Sequence, residues 1–100
     1  MPKKLEWKTE MRTVSALVPN PRNPRSMTPR QMEDLKKSLQ KYGVVELPVI
    51  DTDNRVLAGH QRLVALALLG RSNEEIPVRV PTRKLTKREY DQYMLTSNAL

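Results

Sequence analysis

The sequence predicts a small α+β domain, because helical and strand-like segments alternate along a short chain. Two capping boxes, which begin at Thr28 and Thr86, each precede apolar residues at helical spacing. Short segments rich in β-branched residues lie before and between the helical segments. The 100 residues, 38% of them hydrophobic, suffice for one modest core and leave no room for a second domain.

The amino-terminal part is expected to hold one strand and one rigid loop. Residues 1–10 show no clear periodicity and are interpreted as a tail or an edge strand, so the domain proper covers residues 11–100. From Met11 to Val18 the side chains alternate in a way that suits a short strand, which Pro19 ends. The stretch from Pro19 to Arg25 contains three prolines and two arginines, and therefore predicts a rigid, cationic loop.

The first helix is expected to begin after Thr28 and to end at Gly43. Pro29 suits the first helical position, Gln31 completes the capping box, and Gly43 supplies a left-handed stop. One side of this helix is apolar and carries Met32, Leu35, Leu39 and Tyr42.

A β-hairpin and a second helix are expected next. Turn residues from Asp51 to Asn54 separate the two hairpin strands, residues 48–50 and 55–57. The second strand leads through Gly59 into a helix that extends from about His60 to Leu69.

A further strand and a third helix complete the predicted fold. The strand covers residues 76–80, and Pro77 within it indicates an edge strand or the end of a strand. The capping box from Thr86 to Glu89 then opens the last helix. The predicted order is strand, helix, two strands, helix, strand, helix.

The composition excludes several kinds of chemistry and favours a polyanionic partner. The chain has no cysteine, which excludes disulfides, zinc-thiolate sites and cysteine nucleophiles. Its single histidine, His60, argues against a transition-metal site made by protein ligands alone. The net charge of +7 and the pI near 10.1 favour polyanionic partners, of which nucleic acid is one. The sequence shows neither a signal peptide nor a membrane-spanning run, so we expect a cytoplasmic protein without membrane contact.

The segment Gly59-His60-Gln61-Arg62 is the strongest candidate site. A helix that starts here offers backbone N–H groups without internal partners and the positive end of the helix dipole, which together suit a phosphate. Arg62 is expected to clamp the anion, and Gln61 to recognise an oxygen or a base edge. The alternative is a structural turn. A Walker-type phosphate loop is excluded, because it needs more glycines and a Lys-Ser/Thr pair.

His60 has three interpretations: a general base, a ligand for the anion, or a cap of its own helix. For a lone histidine, binding is favoured over catalysis. Arg22, Asn23 and Arg25 reach the same anion if their loop folds back on the segment after Gly59, whereas the alternative is a solvated basic loop.

Another set of basic residues is either a DNA-contacting surface or a solubilising one. It consists of Lys36, Lys37, Lys41, Arg83, Lys84, Lys87 and Arg88.

Several motifs, in a fixed order, resemble the superfamily of ParB N-terminal domains and sulfiredoxins across nearly the whole chain. They are the box at residues 20–25, the helix end Tyr42-Gly43, the segment Leu47-Pro48-Val49-Ile50, the segment from Ala58 to Arg62, the segment Ile76-Pro77-Val78 and Asn98. The Gly-His-x-Arg form is most similar to ParB-like nuclease-type domains of phages, mobile elements and DNA-methyltransferase-associated proteins. The resemblance implies a small mixed sheet with three helices.

The resemblance also implies a nucleotide site. In the family, the segment that matches Gly59 to Arg62 binds nucleotide phosphates, and the match extends this site to Arg22 and Arg25. Partitioning ParB proteins carry Gly-Glu-Arg-Arg, so His60 replaces the Glu and Gln61 replaces the first Arg.

Two departures from the family bear on chemistry. Sulfiredoxins carry Gly-Cys-His-Arg, and His60 stands in place of the reactive Cys, which argues against sulfinic-acid reduction. Asn98 is the candidate metal ligand, beside Ser97 where relatives carry an acidic residue that helps hold Mg²⁺.

The leading hypothesis is a ParB-like module that binds CTP or ATP with Mg²⁺ and serves partitioning, regulation or DNA modification of a mobile element. Its expected partners are DNA, contacted directly or through a fused or neighbouring domain, and a second copy of the chain. The second hypothesis is a nuclease or NTPase, in which His60 is the base and Arg62 stabilises the transition state. The third is a protein-interaction domain with a decayed pocket. Because the sequence stops at Leu100, within or just after the final helix, a helix-turn-helix and operator recognition are not expected.

Overall fold

The strands and helices follow the predicted order. A computed structural model describes residues 4–21 and 26–98, with side chains through residue 96. The elements are β1 (Trp7–Thr13), a short 3-10 turn (Val14–Ala16), α1 (Pro29–Tyr42), β2 (Val49–Ile50), β3 (Val56–Ala58), α2 (His60–Leu68), β4 (Glu75–Pro81) and α3 (Lys87–Asn98). The α+β class is confirmed. Within the described ranges, no helix is both long enough and apolar enough to cross a bilayer.

The four strands form one mixed sheet in the order β1-β4-β2-β3. β4 is antiparallel to β1 and parallel to β2, and β2 and β3 form the predicted antiparallel hairpin. Val78 of β4 and Val56 of β3 lie in a core that α1 and α2 cover. Val49 of β2 and Leu57 of β3 lie in a second core that α3 covers. The sheet is therefore a middle layer between α1 and α2 on one face and α3 on the other.

Two of the three helices satisfy their first N–H groups with their own side chains. At α1 the Thr28 hydroxyl accepts from the Gln31 N–H at 3.1 Å, and the Gln31 side chain accepts from the Thr28 N–H at 2.9 Å. At α3 the Thr86 hydroxyl accepts from the Glu89 N–H at 3.2 Å, and Glu89 accepts from the Thr86 N–H at 2.8 Å. Both predicted capping boxes are confirmed. α2 differs, because it begins at Gly59 without a side-chain cap.

The first strand lies earlier in the chain than Met11 to Val18, the range expected from alternation. β1 pairs with β4 from Trp7 opposite Pro81 to Thr13 opposite Glu75, and the chain then turns so that Val14 is buried. Of the two interpretations of residues 1–10, the edge strand is confirmed for the part from Trp7, whereas alternation placed the main strand too late because one face of β1 is charged. That face holds Lys8, Glu10 and Arg12, which form two ion pairs of 2.6 Å. Charged side chains suit a strand at the edge of a sheet, where they discourage pairing with another chain.

β4 lies inside the sheet, so the expectation that Pro77 marks an edge strand or a strand end is wrong. The Arg79 N–H donates to the Pro48 carbonyl oxygen at 2.9 Å, and alternate residues of a strand point the same way. The nitrogens of Pro77 and Pro81 therefore also face β2. β2 pairs with β4 only through Val49 opposite Arg79, so neither proline removes a hydrogen bond that the sheet needs.

α3 is held to the rest of the fold by contacts on its inner side. The Asn20 amide is buried and donates to the Tyr90 hydroxyl at 2.9 Å, with the Met94 sulfur 3.7 Å away. The rings of Trp7 and Tyr93 lie 6.0 Å apart. Asn20, the first residue of the proline-arginine box, thus connects the loop after β1 to α3.

Candidate functional site

Gly59 joins β3 to α2 in a conformation that favours glycine. Its φ of 87° and ψ of 19° lie in the left-handed region. A Cβ atom at this position would be 3.0 Å from the Cα and 3.2 Å from the Cβ of Pro48. Strand, glycine and helix follow one another as the sequence predicted. Because Gly59 lies so close to Pro48, the backbone at the start of α2 packs tightly against the residue just before β2.

The start of α2 is electrically positive and is not neutralised by its own residues. No side chain caps the helix, and its first turn has no acidic residue. The Arg62 N–H is satisfied by the Gly59 carbonyl at 3.1 Å. The N–H groups before it and the helix dipole are oriented toward whatever lies beyond Gly59. This end of α2 can therefore bind an anion.

The Arg62 guanidinium lies beside this helix start and pairs with a carboxylate from another segment. One of its terminal nitrogens is 3.5 Å from the position that a Cβ of Gly59 would take. The other donates to Glu46 in the loop between α1 and β2. The Arg62 side chain is 29% exposed, whereas the Glu46 side chain is 76% exposed. The cation is thus partly enclosed, and its partner is a solvent-exposed acid.

His60 occupies the first position of α2 and is half buried. Its Nδ1 atom is buried and has no hydrogen-bond partner among the residues that the structure describes. A ring nitrogen is a donor or an acceptor depending on the tautomer, and a buried polar atom of this kind usually has a hydrogen-bond partner.

A cleft of about 380 Å³ opens next to Arg62. It lies between the second half of α1, the loop of residues 43–48 and the first turn of α2. Its walls are formed by Leu35, Ser38, Leu39, Tyr42, Gly43, Val45, Glu46 and Arg62. Tyr42 is 63% exposed and Val45 is 73% exposed, so large apolar groups stand at its mouth. The cleft can accept an apolar or aromatic group while Arg62 binds an anion.

Sequence reasoning missed this cleft and Glu46. Leu35, Leu39 and Tyr42 are spaced like core residues of an amphipathic helix, and that spacing gives no sign that part of the stripe borders open space. Glu46 is 16 residues from Arg62, and their contact depends on how the loop folds back. The sequence shows only that a short segment of four residues separates Gly43 from Pro48.

Several predicted site residues fall where the structure gives no description. Arg22, Asn23 and Arg25 lie outside the described residues. Asn98 ends α3, but its side chain is not described, so its role as a metal ligand stays a prediction. In the part of the chain that is described, no cluster of three or more His, Cys, Asp or Glu side chains is placed to hold a metal.

The basic residues predicted to contact DNA do not form one surface. Four of them pair with acidic residues: Lys36 with Glu33, Arg83 with Glu89, Lys84 with Asp53 and Lys87 with Asp91. Lys37 and Lys41 on α1 and Arg88 on α3 are exposed, and none has an acidic partner among the described residues. α1 and α3 cover opposite faces of the sheet, so a DNA contact through these side chains stays a prediction.

The Arg83 pair changes the titration of its partner. The Arg83 guanidinium and the Thr86 N–H lower the pKa of Glu89 from 4.5 to about 2. Glu89 is therefore ionised at neutral pH, and its negative charge stabilises the positive end of the α3 dipole.

Solved structures identify the fold. A pNOB8-like ParB N-domain matches 97% of this chain and 39% of its own, with 20% identity and a TM-score of 0.74. Another structure of a pNOB8-like ParB N-domain matches 98% of this chain and 37% of its own, with 21% identity and a TM-score of 0.70. The C-terminally truncated chromosome-partitioning protein ParB from Caulobacter crescentus, complexed with CTP-γ-S, matches 91% of this chain and 52% of its own, with 21% identity and a TM-score of 0.73.

The chain has a ParB N-domain fold, as the order of its motifs predicted. It spans between 37% and 52% of the length of these three proteins. No family profile matches the sequence, and no curated protein matches it either.

Proposed function

We propose that this chain is a nucleotide-binding module, with the phosphates at the start of α2 and the nucleoside in the neighbouring cleft. The observation that carries the proposal is the position of Arg62. This residue lies in the first turn of α2, next to Gly59, and it also lines the cleft. A nucleotide has an anionic part and an aromatic part joined by a sugar, so it matches both halves of the site.

The phosphate half rests on charge and hydrogen bonding. The uncapped first turn of α2 offers N–H groups and a positive dipole end, to which Arg62 adds a full charge. Hydrogen bonds from a charged donor to an anion contribute about 1.5–3 kcal/mol each.

The nucleoside half rests on size and lining. The cleft volume of about 380 Å³ falls within the range of about 300–1,000 Å³ typical of small-molecule sites. Leu35, Leu39 and Tyr42 supply apolar and aromatic surface, and the Ser38 hydroxyl supplies a donor and acceptor. Such a lining suits a flat aromatic base.

CTP and ATP are the proposed nucleotides. The fold is shared with a ParB that was crystallised with CTP-γ-S, which supports a cytidine nucleotide. Mg²⁺ would arrive on the phosphates, and Asn98 remains its predicted protein ligand. The net charge of +7 and the fold of partitioning proteins support a DNA-linked process.

Calorimetric titration with each of the four ribonucleoside triphosphates and Mg²⁺ tests the proposal. We expect CTP or ATP to bind, and Arg62→Ala to weaken binding by about tenfold or more, because one charge-assisted contact is lost. Arg71→Ala is the matched control. Arg71 also pairs with a glutamate, Glu74, but it follows the far end of α2.

Two results would contradict the proposal. One is the absence of binding by any of the four nucleotides at millimolar concentration. The other is an equal loss of affinity in Arg62→Ala and Arg71→Ala, which would reveal a general charge effect in place of a local site.

Hydrolysis is a second candidate function, and the unpartnered Nδ1 of His60 is the observation that favours it. An imidazole nitrogen in the same helix turn as a bound phosphate can orient or deprotonate an attacking water once a rotation of the ring exposes it. Release of inorganic phosphate and nicking of plasmid DNA would be measured for the wild type and His60→Ala. If either activity survives the substitution at the same rate, His60 is not the base.

A further inference from the structure

We propose that Glu46 is a built-in counter-anion of Arg62, which keeps simple anions out of the site and makes binding depend on the rest of the ligand. The inference rests on the proposed function only in naming Arg62 as the anion contact. It assigns to Glu46 a role in selecting the ligand.

The first step is that Glu46 occupies the contact a phosphate would need. Among the described residues, its carboxylate is the one acidic group paired with the Arg62 guanidinium. The first turn of α2 brings no acidic residue of its own. The negative charge at this helix start is thus supplied from another segment, across the mouth of the cleft.

The second step is that Glu46 can leave without disturbing the fold. Its side chain is 76% exposed, and its neighbour Val45 is 73% exposed, so the tip of the loop stands in solvent. Pro48, two residues later, is fully buried and in close contact with Gly59. The loop is therefore anchored at Pro48, while Glu46 is free to rotate away from Arg62.

The third step is that removing the pair requires little free energy but discriminates among ligands. An exposed ion pair contributes little to stability, so a ligand that gains further contacts elsewhere in the site displaces it readily. A small anion gains only the contact it takes from Glu46, and it also meets the repulsion of that carboxylate nearby. A nucleotide adds the burial of its base in the cleft, which a bare phosphate chain does not have.

Inorganic tripolyphosphate is the direct probe, because it carries the charge of a nucleotide without the base. Binding would be followed through the backbone amide signals of residues 59–63 in NMR titrations. We expect weak binding to the wild type and binding about three- to tenfold tighter to Glu46→Gln, the change expected for an exposed charge pair plus one nearby repulsion.

Glu74→Gln is the matched control. It removes an exposed glutamate that pairs with Arg71 at the other end of α2, and so makes the same change in net charge. We expect its affinity for tripolyphosphate to stay within about twofold of the wild type, because that end of α2 is far from the site.

The outcomes separate this inference from the proposed function. If Glu46→Gln binds tripolyphosphate no more tightly than the wild type, including the case in which neither protein binds it, the inference is overturned. A weaker Glu46→Gln overturns it as well, because Glu46 would then hold the ligand. If Glu46→Gln is tighter but no nucleotide binds either protein, the inference stands and the proposed function fails.

Discussion

The starts of α1 and α3 contrast with the start of α2. α1 and α3 each satisfy early N–H groups through a capping box made by residues of their own helix start. α2 starts on a left-handed glycine, without a cap and without an acid in its first turn. The contrast teaches that α1 and α3 are capped by residues of their own helix start, whereas α2 has no side-chain cap and its Arg62 takes a carboxylate partner, Glu46, from another segment.

The largest expected effect concerns Gly59. We expect Gly59→Ala to lower the free energy of unfolding by about 2–4 kcal/mol, because the backbone strain adds to a Cβ contact with Pro48. Urea denaturation measures the change. Gly70→Ala is the matched control, since Gly70 has a φ of 75° but no atom within 4 Å of a Cβ. It should lose only about 1 kcal/mol from strain. Equal losses in the two variants would show that the contact with Pro48 contributes nothing.

The next effect concerns the cap of α1. Thr28→Ala removes the hydroxyl that accepts from the Gln31 N–H, so we expect a loss of about 1 kcal/mol in unfolding free energy. Nucleotide affinity, measured by calorimetry, should stay the same, because the residues of this capping box do not line the cleft. Thr52→Ala in the exposed turn between β2 and β3 is the control. A large loss of nucleotide affinity in Thr28→Ala would show that the start of α1 also contributes to binding, contrary to the contrast with α2.

A smaller effect follows from giving α2 the acidic first turn that α3 has. We expect Gln61→Glu to weaken nucleotide binding by about three- to tenfold, because a carboxylate then stands near the phosphates. The same change should raise the free energy of unfolding by about 0.3–0.5 kcal/mol through the helix dipole. Calorimetry and urea denaturation measure the two changes, and Gln92→Glu on exposed α3 surface is the control. Tighter binding by Gln61→Glu would contradict a phosphate at this position.

The smallest effect is a pH dependence at α3. The pKa of Glu89 is lowered to about 2, from 4.5, so its contribution to stability is present above pH 4.5 and is lost as the pH falls toward 2. We expect the difference in urea midpoint between the wild type and Glu89→Gln to be full at neutral pH and to shrink across that interval. Glu75→Gln, at the exposed start of β4, is the control. A difference that does not change with pH would mean that the charge of Glu89 has no part in it.

The parts of the fold that could be predicted from sequence are those encoded by neighbours in the chain. Thr28 with Gln31, Thr86 with Glu89, and the turn from Asp51 to Asn54 lie within a few residues of their partners. The strand, glycine and helix around Gly59 were predicted for the same reason. Local hydrogen bonding and backbone preference decide these features before any tertiary contact forms.

The parts that escaped prediction depend on distant contacts. From the sequence, residues 1–10 are either a tail or an edge strand, because Lys8, Glu10 and Arg12 give no apolar alternation and only the pairing with β4 decides between the two. Pro77 is tolerated inside the sheet because β2 is too short to reach it. The cleft and the Glu46 contact likewise require the loop after α1 to lie against α2. Pattern reasoning has no access to such partners.

The pairing of β1 with β4 also has a consequence for how the molecule folds. β1 and β4 are separated by about 60 residues of sequence, so pairing them closes a long loop and costs conformational entropy. The β2 and β3 hairpin, Gly59 and the start of α2 are close together in sequence. We expect them to assemble early, with β1 joining last. On the ribosome, the proposed nucleotide site would then take shape before the sheet that carries it is complete.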